Sequence, residues 1–194
     1  MELFEFILEL LVLFFALAIL ALFLVKSIRI YNEYERGVRF RLGRFDKVIG
    51  PGAGFTFPYI DTTVIVDTRL RTLELNGLKA ITKENATVFV DVVARYSISS
   101  PELAVIRVAD LQASLKAVVE TVVRSIVGEL TFGELIGKRE FINAKLRESV
   151  SARAEQWGLK VDGIELTDIT PSERTLKLIK GSVVKSRREG EVDD

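Results

Sequence analysis

The sequence feature that most constrains this chain is the run from Leu10 to Val25, which holds no polar side chain. Phe6, Ile7 and Leu8 extend the run beyond a single Glu9. As a helix from residue 6 to residue 25 it would reach about 30 Å, the thickness of the bilayer's hydrocarbon layer. Its apolar side chains favour insertion by roughly 4 to 8 kcal/mol, whereas an acid costs about 2.5 to 3.5 kcal/mol even at the helix centre. The run therefore predicts a transmembrane anchor over residues 1–26.

The side chains that we expect to anchor this helix in lipid are the large apolar ones of the run. They are Leu10, Leu11, Phe14, Phe15, Ile19, Leu22, Phe23 and Val25.

Two alternatives compete with the anchor. A cleaved signal peptide needs a basic start and a small-residue cleavage site after a shorter apolar run, but here the start is acidic and the A-x-A at Ala16–Ala18 lies in mid-run. A buried core helix needs apolar surroundings on all sides, and no other segment of the chain is apolar enough to supply them. Both alternatives fit the sequence less well than a membrane anchor.

The charges that flank the run predict its orientation. No Lys or Arg precedes it, whereas seven follow between Lys26 and Lys47. By the positive-inside rule, the chain crosses the membrane once and everything after Val25 lies in the cytoplasm. These basic residues also suit the anionic inner leaflet, although a mixed, solvated protein surface is an alternative explanation. On the first interpretation, the residues at the membrane interface include Lys26, Arg29 and Arg36.

Composition excludes several classes of function. The chain has no cysteine and no histidine, which removes disulfides, Cys/His zinc sites and histidine-activated nucleophiles. All 27 basic residues but only 24 of the 27 acidic ones follow the anchor, so the remainder has a net charge of 27 − 24 = +3. That charge is too small for a general nucleic-acid-binding protein. We therefore expect no nucleic-acid partner.

The first segments after the anchor have the two-residue period of strands. Residues 35–42 place Val38, Phe40 and Leu42 on one face and two arginines, Arg39 and Arg41, on the other, and residues 45–49 follow as a hairpin partner. A glycine-rich break at residues 50–54 then introduces an apolar, aromatic segment. This segment either dips into the membrane interface or forms a buried edge strand. Its aromatic residues are Phe55, Phe57 and Tyr59.

Further strands are predicted at residues 64–66, 70–75 and 80–82, with turns at Asn76-Gly77 and at residues 83–85. The clearest strand is residues 87–98, in which alternate apolar side chains share one face. Because Phe89 and Val93 lie on its other face, we expect this strand to be central and covered on both sides.

Helices dominate from Pro101 onward. Capping signals at Ser100, Asp110, Thr131 and Thr170 predict a helical region that opens at Pro101, a helix over residues 111–130, a short segment that begins at Thr131, and helices over residues 138–156 and 170–188. A strand at residues 159–169, with a bulge at Gly163, separates the last two. Strands first, helices afterwards and one returning strand describe an α+β domain.

No catalytic, metal or cofactor motif is present. Asp61, Asp67 and Asp91 lack the spacing of metal ligands and are expected to be turn or sheet-surface residues. The glycines at positions 50–54 precede no helix, so they do not form a phosphate-binding loop. A Ser/Lys membrane hydrolase remains a remote alternative that labelling by a serine-reactive probe would revive. We therefore predict a protein that is not an enzyme and has no cofactor.

Several short motifs, in order along residues 27–175, resemble the stomatin/prohibitin (SPFH, or band 7) family, especially its prokaryotic stomatin branch. They are Tyr34-Glu35-Arg36-Gly37-Val38, Phe40-Arg41-Leu42-Gly43-Arg44, Gly50-Pro51-Gly52 with Pro58, Asp67-Thr68-Arg69, Ile81-Thr82-Lys83-Glu84-Asn85, Val123-Arg124-Ser125-Ile126-Val127-Gly128 with Glu134-Leu135, and Trp157-Gly158 with Val161 and Glu165.

The resemblance implies a membrane-anchored scaffold without catalytic activity, which lies against lipid, forms homo-oligomers and holds partner proteins such as membrane proteases or channels. It implies an SPFH domain at residues 27–175, with a mostly antiparallel sheet packed by helices, and a short C-terminal helix and charged tail at 176–194. Family members usually continue into a long Ala/Glu-rich coiled coil, which residues 176–194 do not supply, so the size of the assembly stays open. A regulatory subunit of one membrane protease, without self-association, is the alternative.

Overall fold

The computed structural model describes residues 2–173, 175 and 176, without the side chains at 2, 3, 5, 20 and 22–24. The chain divides into two compact units, Met1–Thr68 and Arg69–Asp194. Both contain antiparallel sheets and helices, so the predicted α+β class is confirmed.

Unit 1 consists of one long helix followed by five strands. They are α1 (Glu2–Ser27), β1 (Ile28–Tyr31), β2 (Glu35–Arg41), β3 (Arg44–Ile49), β4 (Gly52–Phe55) and β5 (Asp61–Asp67). Strands β1 and β4 form a two-stranded ribbon, and β2 lies between β3 and β5 in a three-stranded antiparallel sheet. The helix expected over the apolar run and the β2–β3 hairpin are confirmed. The ribbon was not predicted.

Tyr31 connects the ribbon to β2. Its ring is 2% exposed, and a Cβ added at either Gly37 or Gly54 would lie 2.7 Å from that ring. The two glycines therefore form the slot that the aromatic ring occupies, because any side chain at either position would overlap it.

Substitution of Gly54 by Ala is expected to destabilise unit 1 by about 1–3 kcal/mol, the usual cost of overpacking a buried site. The new methyl group would meet Tyr31 on one side and Ile49, at 2.9 Å, on the other. Chemical denaturation of G54A measures the loss. In the double variant G54A/Y31L, the smaller Leu side chain should recover part of the lost stability. If the effects of G54A and Y31L on the free energy of unfolding simply add, the slot is contradicted.

One face assignment in β2 is wrong. Leu42 was expected on the buried face, but it is 80% exposed. The strand ends at Arg41, and Leu42 and Gly43 form the hairpin turn with φ values of 50° and 78°. Two positive φ angles are typical of the tight turns that match strand twist. The turn therefore removes Leu42 from the alternation.

Unit 2 is a three-stranded antiparallel sheet packed by helices. Its elements are β6 (Arg71–Ile81), β7 (Thr87–Ile98), α2 (Pro101–Arg107), α3 (Leu111–Glu129), α4 (Phe132–Gly137), α5 (Arg139–Ala154), a 3₁₀ turn (Glu155–Trp157) and β8 (Leu159–Pro171). The strand order is β6-β7-β8, so the predicted central strand is confirmed with the same bounds. Helices α3 and α5 pack on β6 and β8 and on each other. The inner-face residues Val88, Val90 and Val92 of β7 are fully buried.

Two expectations about this sheet are wrong. Asn76-Gly77 does not separate two strands, because β6 is continuous and the pair forms a bulge between Leu75 and Leu78. Gly77 has a φ of 65°, and its N–H donates to the Asp91 carboxylate at 2.6 Å. A turn sequence inside a strand is thus accommodated by a side-chain acceptor on the neighbouring strand. Phe89, on the outer face, is 40% exposed, so the described residues do not fully cover that face.

The helix caps largely follow the sequence. Asp110 accepts from the Ala113 N–H at 2.9 Å, and Thr131 and Glu134 form a reciprocal capping box. Gly158 has the predicted left-handed conformation, with φ of 72°, and β8 has its bulge beside Gly163. Ser100 precedes α2 as expected, but its side chain does not cap that helix.

The last predicted helix starts later than expected. Strand β8 continues through Thr170 and Pro171, because they pair with Phe89 and Val88 of β7. The cap is Ser172, whose hydroxyl accepts from the Thr175 N–H at 3.3 Å. The rest of the predicted helix and the predicted charged tail, residues 177–194, lie outside the described residues.

Candidate functional site

The described apolar side chains of α1 do not pack into a core. The large hydrophobic residues described between Phe4 and Val25 are 52–73% exposed. They include six of the eight predicted anchoring residues, namely Leu10, Leu11, Phe14, Phe15, Ile19 and Val25. The side chains of the other two, Leu22 and Phe23, lie outside those described. Counting only the residues that the structure describes, no helix is both long and apolar enough to cross a membrane.

The β1–β4 ribbon continues this exposed apolar surface directly from the end of α1. Ile28 and Ile30 are 60% and 78% exposed, and Ile28 lies opposite Phe55 in the ribbon register. Side chains opposite each other in a ladder share a face, so Ile28 and Phe55 form one apolar strip. Sequence reasoning missed this strip, although the alternation Ile28-Arg29-Ile30 was a signal for it.

The loop that follows β4 carries the predicted aromatic residues. Phe55 and Phe57 pack edge to face with their ring centroids 5.0 Å apart. Both rings are more than a third exposed, and Tyr59 is 95% exposed with φ of 69°. The alternative of a buried edge strand is therefore wrong for residues 56–60. The dip into the membrane interface stays a prediction.

A network of four charged side chains lies beside this loop. Arg39 pairs with Asp46 and approaches Asp61 at 3.9 Å, and Arg41 pairs with Asp61 through two bonds of 2.9 and 3.2 Å. The Arg39 side chain is 8% exposed and that of Asp61 is fully buried. Two arginines facing two aspartates leave the network without net charge, which lowers the cost of burying Arg39 and Asp61 within it.

The same network holds the loop in place. The guanidinium of Arg39 donates to the Phe55 carbonyl at 2.9 Å, and the Phe57 N–H donates to the Asp61 carboxylate at 2.9 Å. Arg41 lies over the Phe57 ring, 5.3 Å from its centroid, in a cation–π contact. Each end of the exposed aromatic pair is thereby fixed to the sheet. We name this arrangement, residues 55–60 with its four charged partners, the pinned loop.

The pinned loop corrects two expectations. Arg39 was assigned to a polar face and Asp61 to a surface turn, but both side chains are buried. Burial is tolerated because each charge has an opposite charge and further hydrogen bonds. Nothing in the spacing of Arg39, Asp46 and Asp61 signals the network, since pairing across three strands brings them together.

The predicted interfacial basic residues are separate from this network. Lys26 and Arg29 are exposed at the junction of α1 and β1. Arg36 is half-buried and donates to the carbonyls of Glu33 and Glu35, at 2.7 and 2.8 Å. Their contact with lipid stays a prediction. Among the described residues, no group of three or more acidic side chains could hold a metal ion.

Stability below pH 4.5 is expected to depend on two carboxylates. The Arg41 hydrogen bond, helped by the Phe57 N–H and opposed by burial, lowers the pKa of Asp61 from its ordinary 3.8 to about 2. In unit 2, the Thr131 N–H and then Lys138 lower the pKa of Glu134 from 4.5 to about 2. A carboxyl whose pKa is lower in the folded state stabilises the fold above its unfolded pKa, and the effect disappears as pH falls through the folded value.

The melting temperature should therefore change little between pH 5 and 7 through these groups and fall between about pH 4.5 and 2. Thermal melts across this range test the expectation. The double variant D61N/E134Q should start from a lower melting temperature and lose less of it on acidification. An unchanged acid dependence in that variant would show that other groups cause it.

The architecture defines a class of protein: a mixed α+β head that follows an exposed apolar helix and carries an exposed aromatic loop. The model of the SPFH domain / Band 7 family matches residues 29–192. The chain belongs to this family, as its motifs indicated.

Named relatives agree with the assignment. The stomatin homolog of Pyrococcus horikoshii is 34% identical over 153 residues, which are 79% of this chain and 58% of the relative. Mechanosensory protein 2 of Caenorhabditis elegans is 36% identical over 165 residues, 84% of this chain and 34% of the relative. An Archaeoglobus fulgidus protein is 36% identical over 174 residues, 89% of this chain and 70% of the relative. Members of the family are generally membrane-associated, non-catalytic scaffolds or regulators.

Proposed function

We propose that this protein is a membrane-anchored, stomatin-like scaffold that oligomerises on the membrane and organises or regulates partner membrane proteins. The observation that carries the proposal is the exposed apolar surface that extends from α1 through Ile28 and Ile30 to the pinned loop. An uncovered apolar surface of this extent is costly in water and is typical of a membrane or protein contact.

The anchor is the first component of the proposal. Helix α1 is continuous over 26 residues, longer than the roughly 20 residues that a span needs. The proposed span is the whole apolar run, including Leu20 and Leu22–Leu24, whose side chains are not described. The absence of basic residues before the run, together with Lys26 and Arg29 after it, supports a cytoplasmic head.

The second component is a lipid-facing surface on unit 1. Strand β1 begins at the residue after α1 ends, so the ribbon must lie within a few residues of the bilayer if α1 spans it. Ile28, Ile30 and Phe55 then suit the interface, with Tyr59 accommodated at headgroup level. The pinned loop supplies these rings already ordered, which lowers the entropy cost of binding.

The third component is contact with protein. The family association with membranes and partner proteins, and the stomatin names of relatives, support a scaffold rather than an enzyme. A membrane protease or a channel is the kind of client that we propose.

Native mass measurement of the full chain in detergent, combined with cross-linking in membranes, tests the scaffold. We expect several protomers per particle and mostly self-links. A single protomer at high protein concentration, with links to one other protein only, would instead indicate a dedicated regulatory subunit. Labelling of the purified chain by a serine-reactive probe would contradict the non-catalytic assignment.

A further inference from the structure

The two edge strands of the unit 2 sheet are each closed at one point by a helix side chain. On β8, the Leu166 N–H points away from β7 and donates to the Asn143 side chain of α5 at 3.0 Å. On β6, the Lys79 carbonyl accepts from the Arg124 guanidinium of α3 at 3.4 Å. These bonds prevent another strand from pairing at those positions, since edge groups that are already bonded cannot take a partner.

Along each strand, the backbone N–H and C=O groups point alternately toward one neighbouring strand and away from it, which shows where the edges have unpaired groups. Leu166 lies opposite Val92, and Val92 lies opposite Leu75. Because the Leu166 N–H points outward, Ile164 also directs its backbone N–H and C=O outward on β8, and Thr72 and Glu74 do so on β6. Within the described residues these groups have no hydrogen-bond partner.

Each of the two edge strands borders a groove beside a helix. A groove of about 870 Å³ follows the start of β8 and is lined by Lys160 and Val161 and by the α5 residues Ala144 and Ser151. A smaller one of about 320 Å³ follows the start of β6 and is lined by Glu74 and by Asp110 and Lys116 at the beginning of α3. The open edges also lie at the same end of the sheet, because Leu73, Ala94 and Ile164 form one row.

We propose that the open edge of β8 in one copy pairs in parallel with the open edge of β6 in a second copy, so that the sheet continues between protomers. With Ile164 opposite Leu73 of the second copy, the Ile164 N–H donates to the Thr72 carbonyl and its C=O accepts from the Glu74 N–H. Both side chains of that pair lie on the inner, apolar face. This register therefore satisfies both the direction of the backbone hydrogen-bonding groups and the alternation of side chains between the two faces.

We assign the partner strand to a second copy of this chain. Both open edges belong to the same chain, and their unpaired backbone groups lie in the same rows of the sheet. Such a contact joins two different surfaces, so it repeats from copy to copy and generates a ring when the rotation closes. The helix layer of each copy, two helices at about 8–10 Å each, is wider than its strand layer, three strands at about 4.8 Å each. Successive copies that pair through their strands must therefore rotate relative to one another. Each groove contains charges of both signs, so neither has a large net charge that would repel the other. Arg147 and Lys160 accompany Glu148 and Glu155 in the first groove, and Lys116 accompanies Glu74 and Asp110 in the second.

One juxtaposition opposes the pairing. In this register, Glu165 lies beside Glu74 of the second copy on the outer face. Arg95, which already pairs with Glu165, offsets the repulsion. The pairing is short, because Asn143 closes the edge at Leu166, and it therefore depends on the membrane to concentrate the copies. The inference thus rests on the proposed self-association and specifies the surface that performs it.

Cysteine cross-linking tests the pairing, since the chain has no cysteine of its own. Full-length E74C and E165C chains, carrying different tags, are mixed in liposomes and oxidised. Paired residues on adjacent strands lie within the Cα separation that a disulfide tolerates, whereas a residue one strand further in does not. We expect about tenfold more mixed disulfide than with the matched control, E74C mixed with V93C, in which Val93 is in the same row.

A second variant keeps the test independent of the cysteines. Pro at position 74 removes only an N–H that points away from β7, a position where an edge strand tolerates proline. E74P should therefore remain folded and form at most about a tenth of the high-mass particles. If high-mass particles form but the mixtures with E165C and with V93C give equal disulfide yields, the edge pairing is wrong and the scaffold proposal stands. Absence of any assembly in the unmodified chain would overturn both.

Discussion

Substitution of both Leu13 and Leu17 by Asp is expected to abolish membrane insertion of α1. The two positions lie near the middle of the apolar run, where each acid costs about 2.5–3.5 kcal/mol and each lost leucine removes a further few tenths. The combined cost of roughly 6–8 kcal/mol equals or exceeds the roughly 4–8 kcal/mol that favours insertion of the whole run. Insertion into microsomes during translation, scored by a glycosylation site added before residue 1, measures the effect.

The matched control replaces the same two leucines by alanine, which shortens the side chains without adding charge. L13A/L17A should insert nearly as well as the unmodified chain, because alanine is close to neutral in such a helix. Equal insertion of the aspartate and alanine variants would contradict a role for this segment in lipid.

Substitution of Asp61 by Asn is expected to release the pinned loop. The exchange keeps the size of the side chain but removes the charge that Arg41 and Arg39 face, so two guanidinium groups remain with Asp46 as their only described acidic partner. The Asn amide replaces one acceptor oxygen by an NH2 group, so the buried side chain at position 61 loses the charge-assisted bonds that it accepts from Arg41. We expect proteolysis after the exposed aromatic residues of the loop to increase on the order of tenfold, because local opening becomes easier.

The comparison for this experiment is Asp162→Asn, which alters an exposed carboxylate in unit 2 that pairs with Lys160 at 3.5 Å. Exposed pairs contribute little, so D162N should be cleaved like the unmodified chain. Reconstitution into liposomes should protect the loop of the unmodified chain from protease more than the loop of D61N. If lipid protects both loops equally and the D61N loop is no more sensitive to protease without lipid, the network does not position the lipid-facing rings.

The features that the sequence predicted well depend on local chemistry. Strand β7, the Asp110 cap, the Thr131–Glu134 capping box and the Gly158 helix end all follow from residues close together in the chain. The apolar run defined α1 for the same reason. In each case, neighbouring residues satisfy the backbone groups or set the period, so no tertiary information is required.

The features that the sequence missed are created by pairing between distant segments. The ribbon forms because Ile28 meets Phe55, and the charged network forms because β2 lies between β3 and β5. The burial of Arg39 and Asp61 could not be inferred from alternation, since alternation assigns charges to the solvent side. Likewise, the turn sequence at Asn76-Gly77 became a bulge because Asp91 on the adjacent strand accepts its N–H.

Extraction of the full-length chain from vesicles with alkaline carbonate tests the central claim most directly. If α1 is embedded in the bilayer, the protein should stay in the membrane pellet after the wash, and a tag at its C-terminus should be digested only when protease reaches the cytoplasmic side. Recovery of the chain in the carbonate supernatant would contradict the account, because the apolar surface of unit 1 would then be covered by something other than lipid.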